Sequence, residues 1–564
     1  MTALKKRGIH IWILTAIVLI ALYFVVLLPS IRLLGQGLSS QGITAFTKSI
    51  VGTGGKNVLV NTVILGCLVG LVGMIAGFVL AMAQTRLRFR GKRIFHWIAM
   101  LPLISPPFAT ATATVTLFGR RGIITDKLLG LDVDVYGLPG LVIVLALSFT
   151  PVSYMNFSGM IRNLDPTLEE AAQSLGASHL TTLRKVILPM LLPGFATAFL
   201  LLFVEAAADL ANPLALGGDF RVLASEIYFA VAGNGDISYA AGVAVALLIP
   251  SLSVFLIQRY WVSKKSVVSV TGKPSGQPKP LESWWIKAPI GILAGAWILL
   301  ILLMYLTIVA GGFVTILGVK NDFSWEHYEF IFRLGKEAIV TTTVMTLIAA
   351  PFAVLIGTLT AWLVVRQFKR FGAVLDLVGM LGLAVPGTIL GLGFAIAYSQ
   401  PTWLFGVRIL PALAAGGAVL GGAVAIVMVY IARGLPASQQ SSIAALRQVS
   451  TSLEEAAASL GAGPLTVLRK VTAPLIYQSM LTGFTYTVTR SMTVITAVIF
   501  IITPQTKVMA GQILDEVDAG RFGNAFAYCT LLIAIVLAIL VVTELLHRLL
   551  GRRGIENLKG KNKS

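Results

Sequence analysis

Long apolar runs are the feature that most constrains the fold of this chain. A helix needs about 20 mostly apolar residues to cross a bilayer, because unpaired backbone groups are too costly in hydrocarbon. With a mean hydropathy of +0.87 and only 12% charged residues, the chain is far more apolar than a soluble globular protein. We count twelve such runs, near residues 11–33, 58–83, 94–118, 139–159, 190–216, 240–261, 288–312, 337–365, 374–398, 412–433, 475–502 and 525–548. The sequence therefore predicts an all-α integral membrane protein with twelve transmembrane helices.

Basic residues predict the orientation of these helices. The chain has 44 Lys and Arg against 24 Asp and Glu, and loops rich in Lys and Arg usually face the cytoplasm. A cytoplasmic N-terminus places the basic segments 85–93, 258–266, 365–370 and 547–564 all on the cytoplasmic side. We therefore expect both termini in the cytoplasm. The net charge of +20 then reflects membrane topology, and nucleic acid is not expected as a partner.

The two halves of the chain repeat one another. Segment 263–286 is rich in Gly, Pro, Ser and Lys, a composition typical of a flexible linker. It separates a first half, 1–262, from a second half, 287–564, each with six of the predicted helices. Pro106 in LISPPFATA aligns with Pro386 in LAVPGTILG at an offset of 280 residues. Because six is even, the halves share one orientation, which predicts a parallel repeat about an axis along the membrane normal.

The strongest repeat is a polar passage between apolar runs. LEEAAQSLGASHLTTLRKVILP (168–189) returns as LEEAAASLGAGPLTVLRKVTAP (453–474). In each copy Leu, Ala, Ala and Leu recur at the spacing of one helical face, and the glycines Gly176 and Gly461 follow where a helix typically ends in a left-handed residue. We predict a helix, a corner and a second helix in each copy. We call residues 161–189, which include the first copy, the first hook, and residues 446–474, which include the second copy, the second hook.

The hooks are open to two interpretations: an amphipathic connector on the membrane surface, or an element that docks in a partner protein. An amphipathic helix on the membrane surface usually carries Lys and Arg on its polar face and bulky apolar residues below. The first helix of the first hook instead carries Glu169, Glu170 and alanines. Such a surface suits a groove in a partner protein better than a lipid headgroup layer, and the duplication favours the same interpretation.

The hooks resemble the EAA loop of binding-protein-dependent ABC importer permeases. That pattern is Glu-Ala-Ala, three residues, Gly, nine residues, an aliphatic residue, one more, then Leu-Pro. The first hook matches throughout, and the second departs only at Ala473. The whole chain resembles a type I importer permease with two fused halves, and segments 208–233 and 489–501 are similar to ferric-iron uptake permeases. The resemblance implies a bacterial inner-membrane subunit that moves substrate delivered by an extracytoplasmic binding protein. Ferric iron is the expected cargo, with 2-aminoethylphosphonate or a sugar phosphate as the alternative.

The resemblance also implies where the partner ATPase docks. Each hook would seat in one subunit of a homodimer of cytoplasmic ABC ATPases, so two identical subunits need two hooks. ATP and Mg²⁺ would bind to that partner, and no cofactor is expected on this chain. The implied coupling residues are Glu169, Glu170, Ala171, Ala172 and Gly176 in the first hook and Glu454, Glu455, Ala456, Ala457 and Gly461 in the second.

Motifs for chemistry within the chain are missing from the sequence. There is no G-x-x-x-x-G-K-[ST] loop for nucleotide phosphates, no H-E-x-x-H, no paired Cys motif and no G-x-S-x-G elbow. We therefore expect no catalytic residue and no metal site. A secondary transporter or channel driven by an ion gradient is the alternative from another functional class, because polar residues within the membrane suit it equally well. The duplicated hook favours the ATP-driven importer.

Two charges lie deep in the predicted bundle. Glu205 and Arg490 each follow, by 16 residues, the proline that closes their hook, which is about 24 Å along a helix. An unpaired charge there costs at least about 2.5 to 3.5 kcal/mol, so we hypothesise an ion pair between the halves near a gate. Asp209 and Asn212 lie near the outer end of the Glu205 helix and belong to the same candidate pathway. The alternatives are that each charge binds within its own half, and that Asp209 and Asn212 only cap a helix.

Overall fold

The computed structural model describes residues 9–52, 57–262, 280–281, 283–368, 371–404 and 407–561. The helices of the first half are α1 Ile9–Gly37, α2 Ser40–Val51, α3 Val58–Arg86, α4 Lys92–Ile104, α5 Pro107–Phe118, α6 Leu138–Arg162, α7 Pro166–Ser174, α8 His179–Ala208, α9 Ala211–Leu216, α10 Leu223–Ala232 and α11 Ile237–Tyr260. Those of the second half are α12 Trp284–Gly312, α13 Glu326–Gln367, α14 Phe371–Ala384, α15 Gly387–Tyr398, α16 Ala423–Gln448, α17 Thr451–Ser459, α18 Pro464–Val467, α19 Tyr477–Thr493, α20 Met509–Asp518 and α21 Phe522–Lys561. The all-α architecture is confirmed.

The number of membrane spans differs from the prediction of twelve. Within the described residues, nine helices are long and apolar enough to cross a membrane, and two bent helix pairs raise the number to eleven. The predicted span 475–502 is helical only over Tyr477–Thr493, and Val494 has an extended backbone. The residues that follow, VITAVIFIIT (494–503), are rich in β-branched side chains, which lose rotamer freedom in a helix. This composition disfavours continuation of α19 to the predicted end.

Two predicted spans, 94–118 and 374–398, are each broken in the middle. The axes of α4 and α5 are bent by 105°, and those of α14 and α15 by 103°. The breaks lie at Pro106 and Pro386, whose backbones are extended, with ψ of 142° and 145°. Proline has no N–H for a helical hydrogen bond and its ring clashes with the preceding turn. The aligned prolines therefore mark equivalent bends in the two halves.

The first helix of each half packs against the other half. Helix α1 lies against α13 and α15, where Trp12 meets Phe368 at 5.7 Å between ring centroids. Helix α12 lies against α3, α4 and α5, and Tyr305 on α12 donates a 2.6 Å hydrogen bond to Ser105 at the end of α4. The two halves are interlocked by this exchange. Most of the predicted linker 263–286 lies outside the described residues, and α12 begins within its last three residues, at Trp284.

Both hooks lie at the same end of the helical bundle. Helices α3, α11 and α13 end there, and the chain returns from it through α8 and α19. We call this end the hook face and the opposite end the far face. The far face carries two antiparallel hairpins, β1 Val314–Ile316 with β2 Lys320–Phe323, and β3 Thr402–Leu404 with β4 Val407–Leu410. This arrangement places the repeated polar passage away from the hairpins, at the end where the basic segment 85–93 lies.

Candidate functional site

The two hooks have the same backbone geometry. Asp165 begins α7 by accepting a 3.0 Å hydrogen bond from the Thr167 N–H, and Ser450 caps α17 in the same way. Both helices end at a glycine with a φ of 85°, Gly176 and Gly461. A left-handed backbone is accessible to glycine without the steric penalty of a Cβ. The predicted corners are confirmed at both glycines.

The corners are closed by matching hydrogen bonds. In the first hook the Gly176 N–H donates to the carbonyl of Gln173 at 2.9 Å and the Ala177 N–H to that of Ala172 at 3.0 Å. In the second hook Gly461 and Ala462 form the equivalent bonds at 3.0 and 3.1 Å. These are the two bonds of a Schellman motif, which satisfies carbonyls left open at a helix end. Beyond the corner each hook includes a π-helical segment, Leu183–Ile187 in the first hook and Leu468–Thr472 in the second.

The outer surface of each hook exposes apolar and small side chains. Leu175 and Leu460, next to the corner glycines, are each 89% exposed. Glu170, Ala171, Glu455 and Ala456 are also exposed, whereas Ala172 and Ala457 are half-buried. An isolated exposed leucine is common on protein surfaces, but two equivalent leucines at the tips of duplicated loops offer matching apolar surface. The two hooks therefore present equivalent protruding surfaces.

The first glutamate of each hook faces inward and binds an arginine. Glu169 forms a bidentate ion pair with Arg86 at the end of α3, with one Nη1 to Oε2 distance of 2.8 Å. Glu454 accepts a 3.0 Å hydrogen bond from Nε of Arg366, in the last turn of α13. The two arginines are 280 residues apart and the two glutamates 285, the offsets of the sequence repeat. The predicted coupling set thus divides into an inner glutamate, bound to the bundle, and an exposed outer surface.

The two deep charges meet across the halves. Nη2 of Arg490 on α19 lies 2.8 Å from Oε1 of Glu205 on α8. The hypothesised ion pair is therefore present, and the alternative of separate local partners is wrong for this contact. Both side chains are partly exposed, 28% for Glu205 and 26% for Arg490, so the pair is not sealed within the packed core.

A second arginine near this pair was missed in the sequence. Arg433 on α16 lies within electrostatic range of both Arg490 and Glu205. It donates to the carbonyls of Gly382 and Val385 at 3.1 and 3.3 Å. These carbonyls lie at the end of α14, where the bend at Pro386 removes the helical N–H that would have bound them. Arg433 therefore stabilises the bend and adds positive charge beside the pair.

Asp209 and Asn212 form a local cap between α8 and α9. Oδ2 of Asp209 accepts hydrogen bonds from the Asn212 backbone and side chain at 2.9 and 3.0 Å. Both residues are buried, with exposures of 5% and 0%. Their contacts match the capping alternative, and their role in a pathway stays a prediction.

The described residues hold no cluster suited to a metal ion. No group of three or more His, Cys, Asp or Glu residues comes together in those parts of the chain.

Three arginines of the candidate site were not identified from the sequence: Arg86, Arg366 and Arg433. For the first two a signal existed, since each ends an equivalent helix at the repeat offset. It was hidden because the basic segments 85–93 and 365–370 were interpreted only as indicators of orientation.

Comparison with known proteins agrees with the duplicated architecture. The model of the family described as the binding-protein-dependent transport system inner membrane component matches twice, over residues 72–267 and 353–555. A ferric transport system permease protein of Actinobacillus pleuropneumoniae is 31% identical over 541 residues, 93% of this chain and 76% of that protein. A putative ferric transport system permease protein of Haemophilus influenzae is 32% identical over 464 residues, 80% of this chain and 71% of that protein.

A more distant relative shows that the family extends to other cargo. The sulfate transport system permease of Salmonella typhimurium is 27% identical over 186 residues, 32% of this chain and 66% of that protein. Such a partial match shows shared ancestry of one segment and leaves cargo to other evidence. With two family matches, two equivalent hooks and apolar helices throughout, the chain belongs to the binding-protein-dependent transport system inner membrane component family, as a multi-pass permease with two fused halves.

Proposed function

We propose that this chain is the translocation subunit of an ATP-driven importer, with a homodimer of cytoplasmic ABC ATPases docked on its two hooks. The observation that carries the proposal is the identical geometry of the hooks, with φ of 85° at both corner glycines and a tip leucine 89% exposed in each. Two identical ATPase subunits require two equivalent docking surfaces. ATP and Mg²⁺ bind to the ATPases, and this chain itself contributes no catalytic residue.

The orientation follows from charge. The hook face carries the basic segment 85–93 and Arg366 at the end of α13, and basic loops are retained in the cytoplasm. The hooks and both termini are then cytoplasmic, and the far face receives the extracytoplasmic binding protein. The Glu205–Arg490 pair acts as a gate that is closed in this structure, since its 2.8 Å contact joins α8 of the first half to α19 of the second.

The cargo we propose is ferric iron. Support comes from the two relatives named as ferric transport permeases, which match 93% and 80% of this chain. In such a system the binding protein selects the cargo and the permease passes it, so the permease needs no tight iron site of its own. The inner membrane of a bacterium is the corresponding location.

Reconstitution tests the proposal directly. The chain alone in proteoliposomes should neither hydrolyse ATP nor take up iron, and adding its ATPase and a loaded binding protein should give ATP-dependent uptake of radioactive ferric iron. Uptake by the chain alone under a proton or sodium gradient would refute the importer. Transport of 2-aminoethylphosphonate or a sugar phosphate in place of iron would refute the cargo and leave the importer standing.

A further inference from the structure

Each hook is fixed to its own half by an arginine with little solvent exposure. Arg86 and Glu169 have side chains only 1% and 9% exposed, and their bidentate contact fixes both distance and orientation. Arg366 and Glu454 are 11% and 15% exposed. We call these two ion pairs the first and second brace.

The second brace holds more than the glutamate. Nη2 of Arg366 also donates to the carbonyls of Leu446 and Val449 at 2.9 Å each, at the end of α16 where α17 is about to begin. Glu454 in turn accepts a 3.1 Å hydrogen bond from the Thr472 hydroxyl on the returning limb of the hook. Arg366 therefore joins both limbs of the second hook to the end of α13.

The helix that carries the first brace is packed tightly against the helix that carries Glu205. Glycines along α3 leave no room for a side chain: a Cβ on Gly66 would lie 2.8 Å from the ring of Phe203, and one on Gly70 3.0 Å from that of Phe199. Phe203 is two residues from Glu205 on α8. Close packing of this kind transmits displacement because interiors are dense and deform little.

The second half has a corresponding path. A Cβ on Gly357 of α13 would lie 2.8 Å from Cβ of Ser438 on α16, and one on Gly483 of α19 would lie 2.6 Å from the Ser438 hydroxyl oxygen. Helix α19 carries Arg490. Each brace thus connects its hook to one member of the Glu205–Arg490 pair. The path runs through α3 and α8 to Glu205 in the first half, and through α13, α16 and α19 to Arg490 in the second.

We propose that Arg86 and Arg366 are positioning residues that convert movement of the hooks into opening of the Glu205–Arg490 pair. The proposal rests on the proposed function, in which ATPase closure moves the hooks. A hook that moved without its helix would still bind the ATPase and permit hydrolysis, but the movement would not reach the gate. Loss of a brace should therefore uncouple hydrolysis from transport, because movement of the hook would no longer pass through the densely packed helices to the Glu205–Arg490 pair.

The test uses the full complex in proteoliposomes, with Arg86→Gln, Arg86→Lys and Arg366→Gln. Matched controls are Arg88→Gln and Arg447→Gln, exposed arginines close to each brace. Three quantities are measured: ATPase retained on purification, ATP hydrolysis, and ferric iron taken up per ATP hydrolysed. We expect both Gln variants to retain the ATPase and its hydrolysis while uptake per ATP falls at least about fivefold, the lower range of known coupling. Arg86→Lys should fall between, since lysine keeps the charge but not the planar fork.

Two results would overturn the proposal. One is an unchanged ratio of uptake to hydrolysis in both Gln variants, and the other is a proportional loss of hydrolysis, uptake and bound ATPase, which would indicate an assembly role. If Arg86→Gln fails to accumulate in the membrane, the more exposed second brace decides by the same criteria. Failure of the proposed function is distinguishable, because the unmodified complex would then show no ATP-dependent uptake.

Discussion

Exchanging the charges of Glu205 and Arg490 tests whether the ion pair between the halves acts as a gate. We expect Glu205→Arg and Arg490→Glu each to impair ATP-driven uptake and the double exchange to recover part of it. A direct pair should tolerate reversal because the attraction depends on opposite charges and not on which helix carries each. Residues that act separately would instead show losses that add.

The magnitude follows from the distance and exposure of the pair. Two unit charges about 4 Å apart attract by about 1 kcal/mol in water and about 4 kcal/mol at an effective dielectric of 20. The contact here is 2.8 Å between Nη2 and Oε1, with side chains 26% and 28% exposed, so solvent screens part of the attraction. We therefore expect a coupling of about 1 to 3 kcal/mol, or about 5- to 150-fold between the closed and open states.

Arg433 makes the two single variants unequal. Glu205→Arg would place three guanidinium groups within electrostatic range of one another, whereas Arg490→Glu would leave Arg433 beside two carboxylates. We expect Glu205→Arg to be the more damaging change. The exposed pair of Glu329 and Arg333, at 3.4 Å on the far face, is the control, and its exchange should alter uptake little because such pairs contribute about 0.3 to 0.5 kcal/mol.

The assay is the initial rate of ferric iron uptake by the reconstituted complex, normalised to the amount of inserted protein. A double-mutant cycle with Glu205→Gln and Arg490→Gln measures the coupling energy itself. If the double exchange is no better than the worse single variant, and the cycle gives no coupling, the two residues do not gate by pairing and that part of the proposed mechanism is wrong.

Three further changes probe the hook, the far face and the interlocked helices. Gly176→Ala introduces a Cβ into open space but at a φ of 85°, so it should cost about 1 to 2 kcal/mol locally and lower uptake. Gly176→Pro cannot adopt that φ and should abolish uptake with the protein still in the membrane. Burial alone would raise the pKa of Glu516, but hydrogen bonds from Arg521 and Asn524 outweigh it and hold the pKa below the usual 4.5. Thermal stability should therefore decline as the pH falls below 4.5 and through the lower pKa of the folded state. Glu516→Gln should remove the contribution of this group to the pH dependence. Tyr305→Phe breaks the 2.6 Å bond to Ser105 and should lower the free energy of unfolding by about 0.5 to 1.5 kcal/mol, measured as a lower melting temperature.

Features set by local chemistry were predictable from the sequence. The membrane helices follow from apolar length, because the cost of unpaired backbone in lipid leaves few alternatives. The corner glycines follow from the end of a helical pattern, and both have the expected left-handed backbone. The pairing of Glu205 with Arg490 is a tertiary contact, and equal spacing after two repeated prolines with the cost of an isolated charge in the membrane supported it only as one of two alternatives.

Features set by tertiary contact were not predictable in this way. Pro106 and Pro386 were aligned, but apolar composition alone does not distinguish a straight span from two helices bent by 105° or 103°. The exchange of α1 and α12 between the halves depends on packing that no local pattern encodes. Arg86 and Arg366 lie in basic segments whose composition already had an explanation in membrane orientation, so their buried contacts with Glu169 and Glu454 required the structure.

The equivalent positions of the two halves divide into those that are kept and those that differ, and the predicted axis that relates the halves accounts for the division. Under the proposed function each hook faces its own copy of an identical ATPase, and in the hooks and braces the residues are the same: Glu169 with Glu454, and Arg86 with Arg366. Glu205 and Arg490 are also equivalent, 285 residues apart, yet they touch each other, as equivalent residues can do only near the axis. Identical charges there would repel, whereas unlike charges attract. A homodimer cannot place a glutamate opposite an arginine at equivalent positions, so a closed gate of this kind requires two halves whose sequences can diverge, as fusion in one chain allows.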